Sequence, residues 1–378
     1  MTKLIVFSLL LLQSFVSHSL SLPKLTTNFL INLASSGTNN DHLIQQEIKT
    51  RTAKLMTFSG LTAEIESVDG GYLVKLAIGT PAVPFLASPT TVTNLIWTQC
   101  EPCEHCFNQT TPIYSSSNSS SFLKLPCAHN LCKASYIHSC NPDCRYKQRY
   151  IGGSSEGVMG VVGLGRGPQS LVYQLGIRKF SYCLPHYDDE SNGRLLLGYE
   201  DEHQNSIQST PLVLNPSNSS FYYLTLHGIT VGSTRLLTPE GMFKVRKDGG
   251  GGVIINTGSM FTALEQPAFG LLKDEFKSQL KLPFSDQSSL GYDACFSFEP
   301  KSNVEVPKLI YHFDGADLEL PVKNYMAVDS QNGLLCLVIL EATGGLTIFG
   351  GIHQSNINMM LDLEREVLSF VPAQCKQL

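Results

Sequence analysis

From Gly71 onward the chain reads as short apolar runs separated by clusters of Gly, Pro, Asn and Ser. Tyr72 to Ile78, Phe221 to Leu226 and Gly252 to Ile255 are such runs, rich in β-branched and aromatic residues. This spacing predicts short strands and an all-β chain. Helical patterning is confined to short pieces. Pro267 to Leu280 is the clearest, and Asp41 to Thr57 is a second in a polar, cysteine-free N-terminal stretch.

The pattern also repeats weakly. In the first half, Thr90-Thr91-Val92-Thr93 follows a Pro-containing strand and precedes Leu95-Ile96-Trp97, with Val161-Val162-Gly163 further on. In the second half, Ile254-Ile255 leads into Asn256-Thr257-Gly258-Ser259, with Ile348-Phe349-Gly350 further on. Each half therefore has a loop of small hydroxyl residues after a strand, then two apolar residues and a glycine. Repeated halves predict a pseudo-symmetric two-lobed protein with its site between the lobes.

The chain has 378 residues, 42% hydrophobic and 16% charged, which is a core-forming composition. A net charge of -5 gives no basic footprint for nucleic acid and no basic patch for a membrane. Lys3 followed by the run Leu4 to Leu12, apolar apart from Ser8, and by Ser17-His18-Ser19 reads as a signal peptide over residues 1–19. Gln13 and Ser14 end that run well short of the ~20 residues that span a bilayer. Residues 20–70 read as a propeptide-like extension, 71–205 as a first β lobe and 206–378 as a second.

A signal peptide changes how the eleven cysteines are read: Cys100, Cys103, Cys106, Cys127, Cys132, Cys140, Cys144, Cys183, Cys295, Cys336 and Cys375. In an oxidising compartment their close spacings favour disulfides over zinc. The ten histidines show no H-E-x-x-H spacing, so neither a metal nor another cofactor is expected. Sequons at Asn108, Asn118 and Asn218 agree with secretion to the cell exterior or the vacuole.

At this point the chain resembles the plant nepenthesin-like branch of the pepsin family. The resemblance rests on Ile78-Gly79-Thr80-Pro81, on Leu95 to Cys100 with its cysteine-rich insert, and on Gly163 to Pro168. It continues through Phe180 to Cys183, Ile348 to Gly351, Asp362-Leu363-Glu364 and Ser369 to Cys375. It implies a pepsin-like two-lobed fold in which each lobe contributes one Asp-Thr/Ser-Gly loop to a cleft. Two neighbouring carboxylates there share one proton; one acts as general base on water and the other polarises the scissile carbonyl.

This sequence departs from that pattern where the chemistry resides. Thr90 and Asn256 stand at the two dyad positions. A hydroxyl is a poor base near neutral pH, and an amide cannot hold or release the proton. Val92 stands where the pattern has glycine, so the loop Thr91-Val92-Thr93 is expected to be strained; Thr257, Gly258 and Ser259 keep the pattern in the second loop. Tyr150 matches the tyrosine of the flap, but Ser155 to Gly160 then runs directly into Val161, so the first lobe reads as truncated after the flap tyrosine. The missing piece is where the family has a further cysteine. That accounts for the odd count and makes Cys183 the first candidate for an orphan thiol, with Val158 to Val162 strained or mobile.

Rival motifs are weaker. Gly153-Ser154-Ser155-Glu156-Gly157 matches G-x-S-x-G but lacks the helix that follows a nucleophile elbow. Asp248 to Gly252 lacks the Lys-Ser/Thr of a phosphate loop and reads as a turn. Trp97, the single tryptophan, reads as core beside the cleft. The expected function is that of an inactive aspartic-endopeptidase homologue, a monomer holding a peptide or protein ligand in the cleft. The alternatives are an active aspartic endopeptidase and a truncated product without function.

Overall fold

The structure is a computed structural model. It describes residues 9–10, 30–31, 61–68, 70–103, 106, 108–122, 124–133, 138–140, 144–146, 160–189, 191–198, 207–285, 291–299 and 304–378. The signal-peptide reading, the helical stretch Asp41 to Thr57, Tyr150 and the G-x-S-x-G match fall outside the described residues or almost wholly so. No described helix is long and apolar enough to cross a membrane. The chain divides into two compact units: residues 1–182 with 192–202, and residues 183–191 with 203–378.

The first unit is built on a meander. Strands Leu61–Val68, Gly71–Ile78 and Val83–Thr90 pair antiparallel in succession, and Gly193–Leu197 pairs with the outer side of the first. Gly71–Ile78 buries every residue from Tyr72 to Ile78 except Lys75, which explains its nearly unbroken apolar run. The extension was expected to reach residue 70, yet Leu61–Val68 is a full strand of this sheet. Its inward residues are only Ala63 and Ile65. Gly79, at φ 85°, turns the chain out of the Gly71–Ile78 strand. A Cβ there would lie 2.7 Å from the Tyr114 ring, so the Ile78-Gly79-Thr80-Pro81 motif records a close approach by the cysteine-rich segment.

The short strand Gly160–Gly163 lies between Val83–Thr90, to which it is parallel, and Ile96–Thr98, to which it is antiparallel. Strain or mobility was expected at Val158 to Val162. Over Gly160 to Val162 the structure instead shows a strand paired on both sides, while Val158 and Met159 fall outside the described residues.

In the second unit, Gln208–Val213, Val367–Pro372 and Ile357–Asp362 pair antiparallel in that order. Asp362 caps the turn after the last of these: its carboxylate accepts from the Glu364 and Arg365 amides and from Arg365 Nε. A separate sheet joins Thr234–Arg235, Leu226–Val231, Leu309–Phe313 and Ala316–Leu320. The helix Ala268–Leu280 matches the expected 267–280. It buries Ala268, Phe269, Leu272, Phe276 and Leu280 along one stripe and ends at Lys281 in the left-handed conformation. Asp248 to Gly252 is a turn: the Gly249 amide donates to Arg246 O, and the Gly250 amide donates to Asp248 Oδ1.

The disulfides include Cys103–Cys106, Cys183–Cys375 and Cys295–Cys336, and Cys127 and Cys132 are also disulfide-bonded. Cys183 is therefore bridged within the second unit. Sequence order could not supply that partner, because Cys375 lies 192 positions away and only the fold brings it near. Cys140 and Cys144 sit opposite each other in a two-stranded ladder, and Cys100 is buried opposite Tyr114. A bridge that closes so long a loop restricts the unfolded chain strongly. Replacing Cys183 with Ala is expected to cost the second unit about 2–5 kcal/mol in urea unfolding. A variant as stable as the parent would contradict this assignment.

Candidate functional site

The two hydroxyl-rich loops sit on matching local scaffolds. In the first unit Thr90 is the last residue of its strand and stands in register with Gly163 on the parallel neighbour. In the second unit Asn256 ends the strand Val253–Asn256 and stands in register with Gly350 on the parallel strand Thr347–Gly350. The weak sequence repeat is thus a repeat of strand pairing, with each hydroxyl loop opposite its own apolar-apolar-glycine strand.

The glycines permit that pairing. A Cβ on Gly163 would lie 2.5 Å from Asn94 C and 2.6 Å from Thr93 O. A Cβ on Gly350 would lie 2.3 Å from both Phe261 C and Phe261 O. Such distances are impossible for a side-chain carbon against backbone, so each loop packs directly onto bare peptide.

Hydrogen bonds then fix the loops. In the first, the Leu164 amide donates to Thr90 O at 2.8 Å, the Gly165 amide to Thr93 O at 2.9 Å and the Gly163 amide to Leu95 O at 2.9 Å. Asn94 Oδ1 accepts from the Gly167 amide at 2.7 Å. In the second, the Gly351 amide donates to Ser259 O at 2.8 Å and the Ile352 amide to Met260 O at 3.0 Å. Thr262 Oγ1 accepts from the Gly350 amide at 2.9 Å, and Ser259 Oγ donates to Phe261 O at 3.0 Å.

The side chains at the loop heads act alike. Thr90 Oγ1 accepts from the Val92 amide at 3.5 Å, and Asn256 Oδ1 accepts from the Gly258 amide at 2.9 Å. Each oxygen meets the amide two residues on, as in an Asx or Ser/Thr turn. Thr91 and Thr257, next in each loop, are both buried. The strain expected at Val92 is not found. The described non-glycine residues with positive φ are Lys281, Asn356 and Glu366, so Val92 takes an ordinary backbone conformation that a β-branched residue tolerates.

Chemically, neither loop offers a carboxylate. Thr90, Thr91, Val92 and Thr93 supply hydroxyls and a methyl pair; Asn256, Thr257, Gly258 and Ser259 supply an amide and hydroxyls. None of these groups takes up or releases a proton in the range that acid–base catalysis uses. Beside the second loop, Met260 and Phe261 run into a half-buried apolar cluster with Tyr187 and Tyr292, packed on Ala327, Val338 and Ile352. Burial and the nearby Asp188 carboxylate push the Tyr187 phenol up to about 12 and raise Tyr292 as well. Trp97, on the strand that follows the first loop, is half-buried.

Sequence reading missed His353. It sits in the 3-10 turn Ile352–Gln354, immediately after the amides that hold the second loop. Its ring lies 5.5 Å from the Phe349 ring and 5.6 Å from the Tyr311 ring. Among the described residues neither ring nitrogen finds a hydrogen-bond partner, and nor does the Tyr311 hydroxyl. Full burial pushes the imidazole down to about 3, and Tyr311 upward, with no charged neighbour contributing to either.

Comparisons with known proteins place the chain. The family model described as xylanase inhibitor N-terminal matches residues 72–160 and 144–199, and that described as xylanase inhibitor C-terminal matches 221–372. Aspartic proteinase nepenthesin-1 from Nepenthes gracilis is 39% identical over 357 residues, covering 84% of this chain and 81% of its own. Aspartyl protease 37 from Oryza sativa subsp. japonica is 31% identical, covering 82% and 81%. Among solved structures, conglutin gamma, a basic 7S globulin from lupine seeds, superposes with a TM-score of 0.65 at 18% identity, covering 82% of this chain and 94% of that one. Basic 7S globulin from soybean superposes with the same TM-score and identity, covering 83% and 97%. At that identity the two globulins establish the fold alone, which is the all-β pepsin-like one.

The buried His353 sets an acid limit on the second unit. Its imidazole is neutral when folded and protonates near its ordinary value of 6.5 when unfolded. Unfolding therefore takes up a proton below that value. Stability is whole above it and falls as pH drops from there toward about 3, by a few kcal/mol in all. Urea unfolding across this range is expected to show the loss, and His353→Gln is expected to remove this part of it. An unchanged slope in that variant would contradict the assignment.

Proposed function

The chain belongs to the nepenthesin-like plant aspartic proteases, and we propose that it is a member without proteolytic activity that holds a peptide or protein ligand. The observation that carries this reading is the combination at the two loops. The strand pairing, the glycine approaches and the amide hydrogen bonds are all present, while Thr90 and Asn256 occupy the heads of loops where the chemistry of the family needs carboxylates. Catalysis here requires one group that accepts a proton from water and another that donates one. A hydroxyl and an amide do neither.

Binding does not need the dyad. The half-buried wall of Met260, Phe261, Tyr187 and Tyr292 suits an apolar side chain. The two matching family models are named for xylanase inhibitors, so there is a precedent for this scaffold as an enzyme-binding protein. The first partner class to test is a secreted glycan-degrading enzyme, with the chain itself secreted or vacuolar and monomeric. One observation favours a second reading, an inert truncated product. The first-lobe family model matches in two stretches that overlap at residues 144–160, around the point where the sequence reads as truncated after the flap tyrosine.

The purified protein is expected to leave denatured globin intact at acid pH, since loss of catalytic groups that act together costs ~10⁴-fold or more. Turnover abolished by a transition-state-mimicking aspartic-protease inhibitor would overturn the reading. The triple variant Thr90→Asp, Val92→Gly, Asn256→Asp restores the carboxylates but not the missing flap segment, and lids of this kind complete a catalytic arrangement. It is expected to stay inactive; digestion at a rate near that of nepenthesin-1 would refute the truncated-flap account.

A further inference from the structure

In the second unit, three side chains line up across neighbouring strands. Thr230 lies on Leu226–Val231, His312 on Leu309–Phe313 and Asp317 on Ala316–Leu320. His312 and Asp317 are directly opposite in register, and Thr230 is diagonal to His312. Thr230 Oγ1 lies 2.7 Å from His312 Nε2, and His312 Nδ1 lies 2.7 Å from Asp317 Oδ1. The carboxylate on Nδ1 sets the tautomer: Nδ1 carries the proton and Nε2 is left as the acceptor for the threonine hydroxyl.

We propose that Thr230, His312 and Asp317 form an acyl-transfer relay that takes small activated esters. The arrangement has a nucleophile in hydrogen-bond contact with a base, and the base is oriented by an acid. It is open to solvent: Thr230 is half-buried, His312 is 18% exposed and Asp317 is 65% exposed. Asp317 is also held through its backbone, since its amide donates to Gln208 Oε1 at 2.8 Å. A cation shares the face. Arg235 is the cross-strand partner of Thr230, and its Nη2 donates to His227 O at 2.9 Å. It lies over Gly228, where a Cβ would come within 2.9 Å of Arg235 Nε and Nη2. The bare glycine admits the guanidinium beside the relay. His227, paired with Asp314 at 3.3 Å, borders the same sheet.

In the reaction, Thr230 Oγ bonds to the ester carbonyl carbon as its proton passes to His312 Nε2. Negative charge collects on the carbonyl oxygen, on the face that carries Arg235. The carbon–oxygen bond to the leaving alcohol then breaks, and that alcohol takes the proton from His312. The acyl group remains as an ester on Thr230. Water, deprotonated by His312, attacks that ester, and the acid leaves as Thr230 regains its proton. Thr230 and His312 touch the reacting atoms; Asp317 is a positioning residue.

The test uses the full-length protein and p-nitrophenyl acetate. Expected are a burst of nitrophenolate and an acetyl ester mapped by mass spectrometry to the peptide that holds Thr230. Thr230→Val, nearly isosteric on a strand, should lose both, and Thr230→Ser should keep both. His312→Gln should slow acylation by about 100-fold or more. Asp317→Asn should lower kcat with KM little changed, which loss of a merely structural hydrogen bond would not produce. Thermal unfolding of each variant checks that it is folded. Turnover in folded Thr230→Val equal to the parent's, acetylation confined to lysines, or variants that change stability alone would overturn the proposal.

Discussion

The structure depends on a backbone contact that leaves no room for a side chain. At Gly163 and at Gly350 a strand crosses against the loop that ends its parallel neighbour, close enough that any Cβ would collide with peptide atoms. Because the glycines are bare, the amides that follow them reach the loop carbonyls, and the loops are held by backbone rather than by their own side chains. The identity of the loop side chains can then change while the scaffold stays. Thr90 and Asn256 satisfy the amides two residues on through a hydroxyl and an amide oxygen, so the hydrogen bond that seats each loop head needs no carboxylate.

The same independence would let a chain of this family keep its architecture while the side chains at its loop heads change. What lies under the second loop is a packed aromatic layer of Tyr311, Phe313, Phe349 and His353, set edge to face. Burial without a counter-charge holds the His353 imidazole neutral, so acid is expected to weaken that layer.

Much of this was legible in the sequence. The two hydroxyl loops and their distant glycine strands stood out as a repeat, and the pairing of Thr90 with Gly163 and Asn256 with Gly350 is its physical cause. The helix at Ala268–Leu280 was visible in its apolar spacing. Leu61–Val68 was hidden because it buries only two residues and its sequence resembles the polar extension before it. The ease of the turn at Val92 was not legible, because residue preference does not fix the dihedral, and the turn proceeds without a positive φ there. The partner of Cys183 and the line from Thr230 through His312 to Asp317 are matters of register between strands far apart in the chain, and neither spacing nor composition encodes register.

The most direct measurement is amide hydrogen exchange resolved at single residues for Leu164 and Gly165 in the first unit and for Gly351 and Ile352 in the second. These amides donate to backbone carbonyls, those of Thr90, Thr93, Ser259 and Met260. The account predicts that all four exchange as slowly as the core strands of their own unit. Rapid exchange at either pair would mean that the loop is not held by its strand.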